Sequence, residues 1–574
     1  MRCTVPTVGS KRGKKMKKVR GLPAPLGVSR IGETTNYALA VPTGKTCELL
    51  LYRVGETDPF FRAELPEEEA VGEVRFLALD HACPWEYEYA YRIDGKEAED
   101  PYAKLVCDPG KIRGKRYGYP LPYDWGEDRQ PEILDADVVG YSLHVRGYTK
   151  HASSGVKEKG TFRGIIEKIP YFLELGINQI QCMPVYAFEE RTGNRPNYWG
   201  YGDALFFAPQ NRYAATKDAP TELKDMVRAC HEAGIEVVLE MPFAQETDFW
   251  LAQQCLHYYV VEYHVDGFVL NPWHVSLECL RRDPLLKKTK FYQKDETFQN
   301  TIRRFLRGEE GMTGAVAQQM KHTTEEAGGF CFVAGHNGFT LTDVFSYDGK
   351  HNEANGEYNH DGPEYNYSWN CGEEGRTQKK AVQELRNRQI RNAMAFLFSA
   401  QGTPVLLAGD EFGNSQEGNN NVYCQDNETA WLDWGDLKKH QDLFAYVKAW
   451  IAFRKTHKIL HQYKALSGMD KRASGLPDVS YHGEEAWREP TKIAGRLLGI
   501  LYGETEEGGE VCYAAYNMHW EEHDIALPNP GKKRKWYLAA DTEKGVLGTL
   551  KLLKDQRKLL LKPRTVQILI GRAE

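Results

Sequence analysis

The sequence of 574 residues lacks several features that would assign it to a membrane, secreted or metal-binding class. It has no run of about 18 apolar residues, which excludes a transmembrane helix. No CxxC pair or Cys/His metal-ligand spacing stands out around its 12 cysteines. The early basic residues are followed by GLPAP at 21–25 and not by the apolar core of a secretion signal. We therefore expect a reduced, cytoplasmic protein whose cysteines serve as small buried apolar residues.

The sequence also has little excess of positive charge. Lys and Arg number 74, Asp and Glu number 80, and the net charge is −6. Residues 1–20 hold eight basic residues and no acidic one, so the remainder is more acidic still. Because a nucleic-acid enzyme needs a basic face, nucleic acid is an unfavoured partner. We predict a basic disordered tail at 1–22, and its contact with RNA or an anionic membrane stays open.

Aromatic residues make up 12% of the chain, which indicates globular cores. Short strand and turn patterns predict an N-terminal β-sandwich at 23–128, including a hairpin turn at Asp94-Gly95. Residues 129–470 alternate between strand and helix patterns. This alternation predicts an α/β domain, a (β/α)₈ TIM-type barrel. Strand patterns return at 471–574 and predict a C-terminal β-sandwich.

The barrel prediction rests on repeated units in which a helix ends at a glycine and a strand follows. The predicted pairs are helix 165–175 with strand 179–183, and helix 223–233 with strand 235–239. A further apolar strand at 404–407 leads into Asp410 and Glu411, which we expect to fix loops by hydrogen bonds. Catalytic side chains of such barrels follow the carboxyl ends of the strands. The residues at those positions are therefore the candidates for functional residues.

Several motifs at these positions are specific. They read LHVRGY at 143–148, YWGY at 198–201, EYNYSWNCG at 364–372, QGTPVLLAGDEFG at 401–413, and a further stretch at 418–434. With them the sequence resembles the α-amylase superfamily, glycoside hydrolase family 13, and specifically its isoamylase and glycogen-debranching branch. The resemblance covers most of the chain. It implies that the first sandwich is similar to a carbohydrate-binding module and that the family activity is that of an α-1,6-glucosidase.

The resemblance fails at the catalytic nucleophile. The family strand reads Gly-Phe-Arg-Phe-Asp, whereas residues 267–271 read GFVLN. Asn271 therefore stands at the nucleophile position, and an amide is a poor nucleophile. Val269 replaces the arginine that pairs with that carboxylate. The carboxylate and the arginine are expected to be lost together, because an arginine left alone would be an unpaired buried charge.

Other catalytic positions are lost as well. Asn337, which follows His336, replaces the transition-state-stabilising aspartate of the family. Gln245 and Ala244 replace a sugar-contacting histidine and an asparagine that ligates calcium in many amylases, so we predict no metal there. The general acid is missing, because only 29 residues separate Asn271 from Thr301. This length predicts a deleted or shortened βα unit. Glu278 and Glu296 are the nearest carboxylates, and neither is a favoured acid.

The remaining candidates are sugar-binding positions at the barrel mouth. Core packing around the barrel rim is an equally good interpretation of the three aromatic residues. An Asn in place of an Asp keeps shape and hydrogen-bonding capacity, so an emptied site can still hold a sugar. The predicted substrate-binding residues are Tyr198, Trp199, Tyr201, Gln245, Asn271, His336 and Asn337, with no intact catalytic residue, no metal and no cofactor.

These observations predict a non-catalytic or severely impaired homologue of glycogen-debranching enzymes. We expect it to bind branched α-glucan such as glycogen or starch, and a role as regulatory or targeting subunit of an active isoamylase-type enzyme follows from the family. Two alternatives stay open. One is an active α-1,6-glucosidase with relocated carboxylates about 5 Å apart. The other is a structural or polyanion-binding protein that retains only the fold.

Overall fold

The computed structural model describes residues 16–107, 116–216, 218–327, 330–490, 495–505 and 509–573. The chain forms two compact units. The first holds the residues up to 124 with 186–193 and 200–224, and the second holds 125–185, 194–199 and the residues from 225 onward. Residues 1–15 of the predicted tail lie outside the described residues. Lys17–Val19 differ from that prediction, because they form an edge strand paired with Val74–Asp80.

The first unit contains two antiparallel sheets with their apolar faces in one core. Leu49 and Leu51 alternate with Leu50 and Tyr52, so one strand contributes to two separate apolar clusters. One sheet has the order β1-β6-β3-β2, and the other has β5-β4-β7-β10-β9 with β8 beside β7. These strands are β1 (Lys17–Val19), β2 (Gly27–Ile31), β3 (Thr34–Ala40), β4 (Cys47–Arg53), β5 (Phe61–Glu64), β6 (Val74–Asp80), β7 (Tyr87–Ile93), β8 (Lys96–Ala98), β9 (Leu105–Val106) and β10 (Tyr117–Gly118).

The predicted hairpin between β7 and β8 is confirmed. Ile93 pairs with Lys96, and Asp94 and Gly95 both have positive φ angles, of 46° and 75°. This backbone matches the right-handed twist of the flanking strands and suits an Asp-Gly step. Later segments of the first unit, Tyr186–Phe188 and Ala204–Pro209, form a further antiparallel pair.

The second unit contains the barrel, a parallel sheet of seven strands among its described residues. The order is β15-β14-β13-β12-β11-β17-β16. The strands are β11 (Gly140–Leu143), β12 (Gln179–Cys182), β13 (Glu236–Met241), β14 (Gly267–Leu270), β15 (Lys290–Gln293), β16 (Phe330–Cys331) and β17 (Thr403–Leu407). The barrel fold is as predicted, and the shortened region contains the single strand β15.

The two edge strands, β15 and β16, approach each other through side chains. The rings of Tyr292 and Phe330 lie 6.0 Å apart. Both belong to an apolar cluster that also contains Val238, Val269 and Val405, from three other strands. Packing inside the barrel therefore brings the ends of the sheet together where the described strands do not pair.

The helices surround this sheet. The predicted helix at 165–175 is instead two helices that meet at Lys168, because Pro170 occupies the first turn of the second one and has no N–H to donate. The helices are α1 (Val145–Lys150), α2 (Phe162–Glu167), α3 (Ile169–Leu175), α4 (Ala219–Glu232), α5 (Phe249–Tyr263), α6 (Leu277–Arg282), α7 (Thr297–Arg307), α8 (Thr313–Lys321), α9 (Thr324–Ala327), α10 (Leu341–Val344), α11 (Lys380–Ser399), α12 (Asp436–Lys439) and α13 (Gln441–Thr456). Among the described residues, none of these is long and apolar enough to cross a bilayer.

The last part of the second unit is a β-sandwich. Its main sheet has the order β18-β19-β20-β25-β22-β23, and β21 pairs with β24 in a smaller sheet. Buried residues of both sheets, Trp536 and Leu561 among them, share one core. The strands are β18 (Val479–His482), β19 (Leu497–Tyr502), β20 (Val511–Asn517), β21 (His523–Ala526), β22 (Arg534–Asp541), β23 (Gly545–Leu552), β24 (Lys558–Leu561) and β25 (Thr565–Ala573).

Candidate functional site

Neighbouring strands of the barrel present polar side chains at their carboxyl ends. Glu240 lies one residue before the end of β13, Asn271 follows β14, and Lys294 follows β15. Leu270 and Gln293 are paired in register. The next residues, Asn271 and Lys294, therefore lie side by side at the ends of β14 and β15. In parallel barrels this edge of the sheet carries the chemistry.

Lys294, Glu240 and His336 form one connected group, which we term the rim cluster. The ammonium nitrogen of Lys294 lies 2.7 Å from Oε2 of Glu240 and 3.2 Å from Nδ1 of His336. The side chains of Glu240 and His336 are only 11% and 9% exposed, whereas that of Lys294 is 35% exposed. A cation therefore lies at this edge of the barrel, between a carboxylate and an imidazole.

His336 is a neutral imidazole within this cluster. Burial lowers its pKa to about 3, with a further contribution from the charge of Lys294. Its Nε2 lies 3.9 Å from Oε1 of Glu240, but the low pKa means that this contact is not an ion pair. His336 accepts a hydrogen bond from the Lys294 ammonium group and leaves Glu240 to neutralise that charge.

The side chain of Asn271 stabilises a turn. Its Oδ1 accepts a hydrogen bond of 3.0 Å from the backbone N–H of Trp273. The Nδ1 atom of His274 lies 2.6 Å from the carbonyl oxygen of Phe243 and links this turn to the segment after β13. The indole of Trp273 is left 87% exposed. An amide thus keeps the local geometry that a carboxylate would have, without its charge.

The aromatic residues Tyr198 and Trp199 belong to the wall of this region and are 3% and 5% exposed. The Tyr198 ring stacks on His144 at 4.0 Å, and the Trp199 ring meets His336 edge-on at 5.0 Å. Backbone N–H groups of both aromatic residues donate to the carbonyl oxygen of Tyr423. Packing therefore fixes Trp199 against the rim cluster.

The space beside these residues is small. A cavity of about 50 Å³ is lined by His144, Tyr198, His336 and neighbouring residues. Small-molecule sites usually measure roughly 300–1,000 Å³. The cavity is therefore too small for a sugar ring.

The other predicted positions are not gathered into this cluster. Asn337 is exposed next to Gly338, and Gln245 is exposed in the loop after β13. Tyr201 belongs to the first compact unit. The roles of these three residues in sugar binding stay predictions, as does the absence of a metal at Ala244.

Two residues of the rim were missed by sequence reasoning. Lys294 directly follows Lys290–Gln293, whose adjacent aromatic residues Phe291 and Tyr292 are a usable strand signal. Trp273 lies two residues after Asn271, and its exposure becomes evident only in the folded chain. Val269 packs in the apolar cluster inside the barrel, which is a suitable environment for a valine.

Other motif residues support loops, as predicted. The buried carboxylate of Glu411 accepts hydrogen bonds of 2.6 Å from the hydroxyls of Tyr141 and Tyr171. Asp410 accepts one of 2.9 Å from the backbone of Leu341. The two carboxylates that follow β17 therefore hold loops in place by hydrogen bonds.

Comparison with known proteins gives consistent relatives. The family described as α-amylase, catalytic domain, matches residues 146–247. A glycogen operon protein GlgX homolog of Haemophilus influenzae is 30% identical over 76% of this chain and 84% of its own length. The GlgX homolog of Mycobacterium bovis is 28% identical over 90% of this chain and 92% of its own. The chloroplastic isoamylase 3 of Oryza sativa is 28% identical over 90% and 82%, respectively.

Solved structures agree on the fold. A pullulanase of Paenibacillus barengoltzii in complex with maltotetraose has a TM-score of 0.74, with 20% identity and 95% of each chain covered. The catalytic module of the glycogen-degrading pneumococcal virulence factor SpuA has a TM-score of 0.75, with 17% identity over 96% of this chain and 97% of its own. At these identities the likeness establishes the architecture alone.

Proposed function

Because the chain belongs to the isoamylase and glycogen-debranching branch of the α-amylase superfamily, we propose that it binds branched α-glucan at the barrel rim without hydrolysing it. The observation that carries this proposal is the rim cluster. Lys294 neutralises Glu240 at the place where a retaining glycosidase needs free carboxylates.

The charges at the rim do not suit retaining hydrolysis. Retaining hydrolysis uses two carboxyl groups about 5 Å apart, one as nucleophile and one as acid and base. Its transition state carries positive charge on the sugar, which carboxylates stabilise. Here the nucleophile position holds the amide of Asn271, and the carboxylate of Glu240 is paired with an ammonium group. Neither group supports a glycosyl-enzyme intermediate.

Binding is supported by the groups that remain on the surface. The exposed indole of Trp273 presents an apolar face next to Asn271, and aromatic faces suit the apolar faces of sugar rings. The exposed amide of Asn337 adds hydrogen-bonding capacity. Glycogen or starch is the proposed ligand, because the relatives are named for the glycogen operon and as isoamylases.

A partner follows from the same proposal. A protein that holds glucan without cutting it can target or regulate an active isoamylase-type enzyme on the same polymer. Co-sedimentation of this chain with such an enzyme on glycogen, beyond the amount that each binds alone, is the expected result.

The primary experiment measures binding and hydrolysis on one purified sample. Glycogen affinity is measured by gel retardation, and reducing-sugar release from glycogen and pullulan by a long incubation. We expect retardation without release. Release that persists in both Asn271→Ala and Glu240→Gln indicates a contaminating enzyme. Release that is lost in Glu240→Gln would overturn the proposal in favour of a hydrolase with relocated carboxylates.

Trp273→Ala tests where the glucan binds. Loss of an aromatic contact worth about 0.5–1.5 kcal/mol should weaken glycogen binding roughly two- to tenfold. Trp250→Ala is the matched control, since Trp250 is 65% exposed on α5 of the same unit. Equal affinities of the Trp273→Ala variant and the unmodified protein would place the binding surface elsewhere. Absence of binding in the unmodified protein would favour a structural role.

A further inference from the structure

The turn between β20 and β21 of the C-terminal sandwich brings three potential metal ligands together. His519, Glu521 and His523 offer ligand atoms that all lie within 4.8 Å of one another. We propose that these residues form a binding site for a divalent transition-metal cation of the Zn²⁺ class. The site is separate from the barrel rim and independent of the proposed glucan binding.

The backbone of this turn holds the ligands in place. Asn517, the last residue of β20, accepts from the backbone N–H of His519 at 2.9 Å and donates to the carbonyl oxygen of Glu521 at 2.9 Å. His523 is the first residue of β21, which pairs with β24 through Leu561. Two ligands are therefore fixed by the turn and the third by a strand.

His523 provides the observation that points to a ligand. Its Nε2 atom is buried and has no hydrogen-bond partner in the structure. An unsatisfied buried polar atom costs about 1–3 kcal/mol. The edge-on ring of His519 lies 4.7 Å away, so both imidazoles border the same space. A bound cation would satisfy this nitrogen.

One ring nitrogen of His519 takes part in a local hydrogen bond of the turn. Its Nδ1 accepts a hydrogen bond of 3.0 Å from the backbone N–H of Glu521. A cation at this nitrogen competes with that bond, and we therefore expect moderate affinity.

The ligand set selects the class of cation. Two imidazoles and one carboxylate are a common Zn²⁺ set, in which water takes the fourth position. Zn²⁺ bonds of about 2.0–2.2 Å require donors closer together than 4.8 Å, and the exposed side chain of Glu521 can make that adjustment. The nearby guanidinium groups have other partners, since Arg496 pairs with Glu310 and Arg564 donates to the carbonyl oxygen of Leu306.

Cysteine-containing spacings do not reveal this site, because its donors are two imidazoles and a carboxylate. The motif HWEEH at 519–523 contains the donors at alternate positions. Metal binding there would link the turn to the small sheet of the sandwich and raise the stability of the folded chain.

The experiment uses the full chain after chelation and desalting. Titration with Co²⁺ should give a saturable visible absorption without thiolate charge transfer, and Zn²⁺ should compete for it and raise the thermal midpoint. His523→Ala and His519→Ala should each weaken binding at least tenfold. Glu522→Ala, a change of the adjacent carboxylate outside the cluster, should leave binding within twofold.

Three outcomes would overturn the proposal. The first is no saturable Co²⁺ absorption in the unmodified protein. The second is equal binding in the two histidine variants, whose fold is checked by circular dichroism without metal. The third is a thiolate signal, which would place the metal at a cysteine such as the exposed Cys279.

Discussion

At the scale of single residues, Lys294 determines the charge of the barrel rim. Its ammonium group pairs with a carboxylate that is only 11% exposed, so its removal leaves Glu240 charged and poorly solvated. We expect Lys294→Met to destabilise the protein by about 1–2 kcal/mol. This is less than for a fully buried pair, because the Lys294 side chain is 35% exposed.

Urea unfolding of a double-mutant cycle measures this effect. Glu240→Gln combined with Lys294→Met should recover most of the lost stability, because no unpaired charge is left. A Lys294→Met variant as stable as the unmodified protein would show that the pair is not coupled. The same variants leave Asn271 unchanged and therefore separate the effect of the rim charge from any effect of that residue.

Some of these residues can be recognised from the sequence and others cannot, for a physical reason. Asn271, His336 and Asn337 stand in motifs that local residue order reveals. The contact of Lys294 with Glu240 and His336 joins three segments that only the folded barrel brings together. Local patterns therefore indicate candidate positions, whereas the contacts of Lys294 at the rim depend on long-range packing.

At the scale of elements, signals confined to a few residues predicted structure best. The Asp94-Gly95 turn has two positive φ angles, and an Asp-Gly step is a residue pair that favours such a backbone. By contrast, the apolar periodicity of 165–175 continued across Lys168 and concealed the break before Pro170. The proline was the better guide there, because it removes a backbone donor whatever the periodicity.

The last turn of α4 contains a pH-sensitive contact. His231 lies 3.0 Å from Asp128 and 3.1 Å from Asp266, and the side chains of all three residues are at most 5% exposed. Burial alone would lower the pKa of His231, but hydrogen bonds and charges from Asp266 and Asp128 raise it above its ordinary value. The protonated form therefore stabilises the fold.

The sign of the pH effect follows from this shift. Because the pKa of His231 is raised in the folded state, its protonation stabilises the fold fully below the unfolded-state pKa of about 6.5. This stabilisation is lost as pH rises through the folded-state pKa. Urea midpoints should therefore fall as pH rises above about 6.5, and His231→Gln should remove that part of the slope. An unchanged slope in this variant would contradict the assignment to His231.

At the scale of the whole molecule, the barrel retains its shape with seven described strands. Among the described residues β15 and β16 do not pair, and the rings of Tyr292 and Phe330 meet between them. The short connection between Asn271 and Thr301 contains the single strand β15, and the interior core is kept. The core can be kept in this way because hydrophobic stabilisation is non-directional and roughly proportional to the apolar area that is buried.

Phe330→Ala tests whether side chains close the barrel. Phe330 is 6% exposed, so its truncation should cost about 3–5 kcal/mol, measured by urea unfolding. Because the contact joins the sheet edges, amide exchange should accelerate at β15 and β16 more than at the central strand β12. Tyr292→Phe is the control, since it keeps the ring and loses only the 3.1 Å hydrogen bond with Gln179, about 1 kcal/mol. Uniform acceleration across all seven strands would mean that the ring supports the whole core equally and does not specifically join its edges.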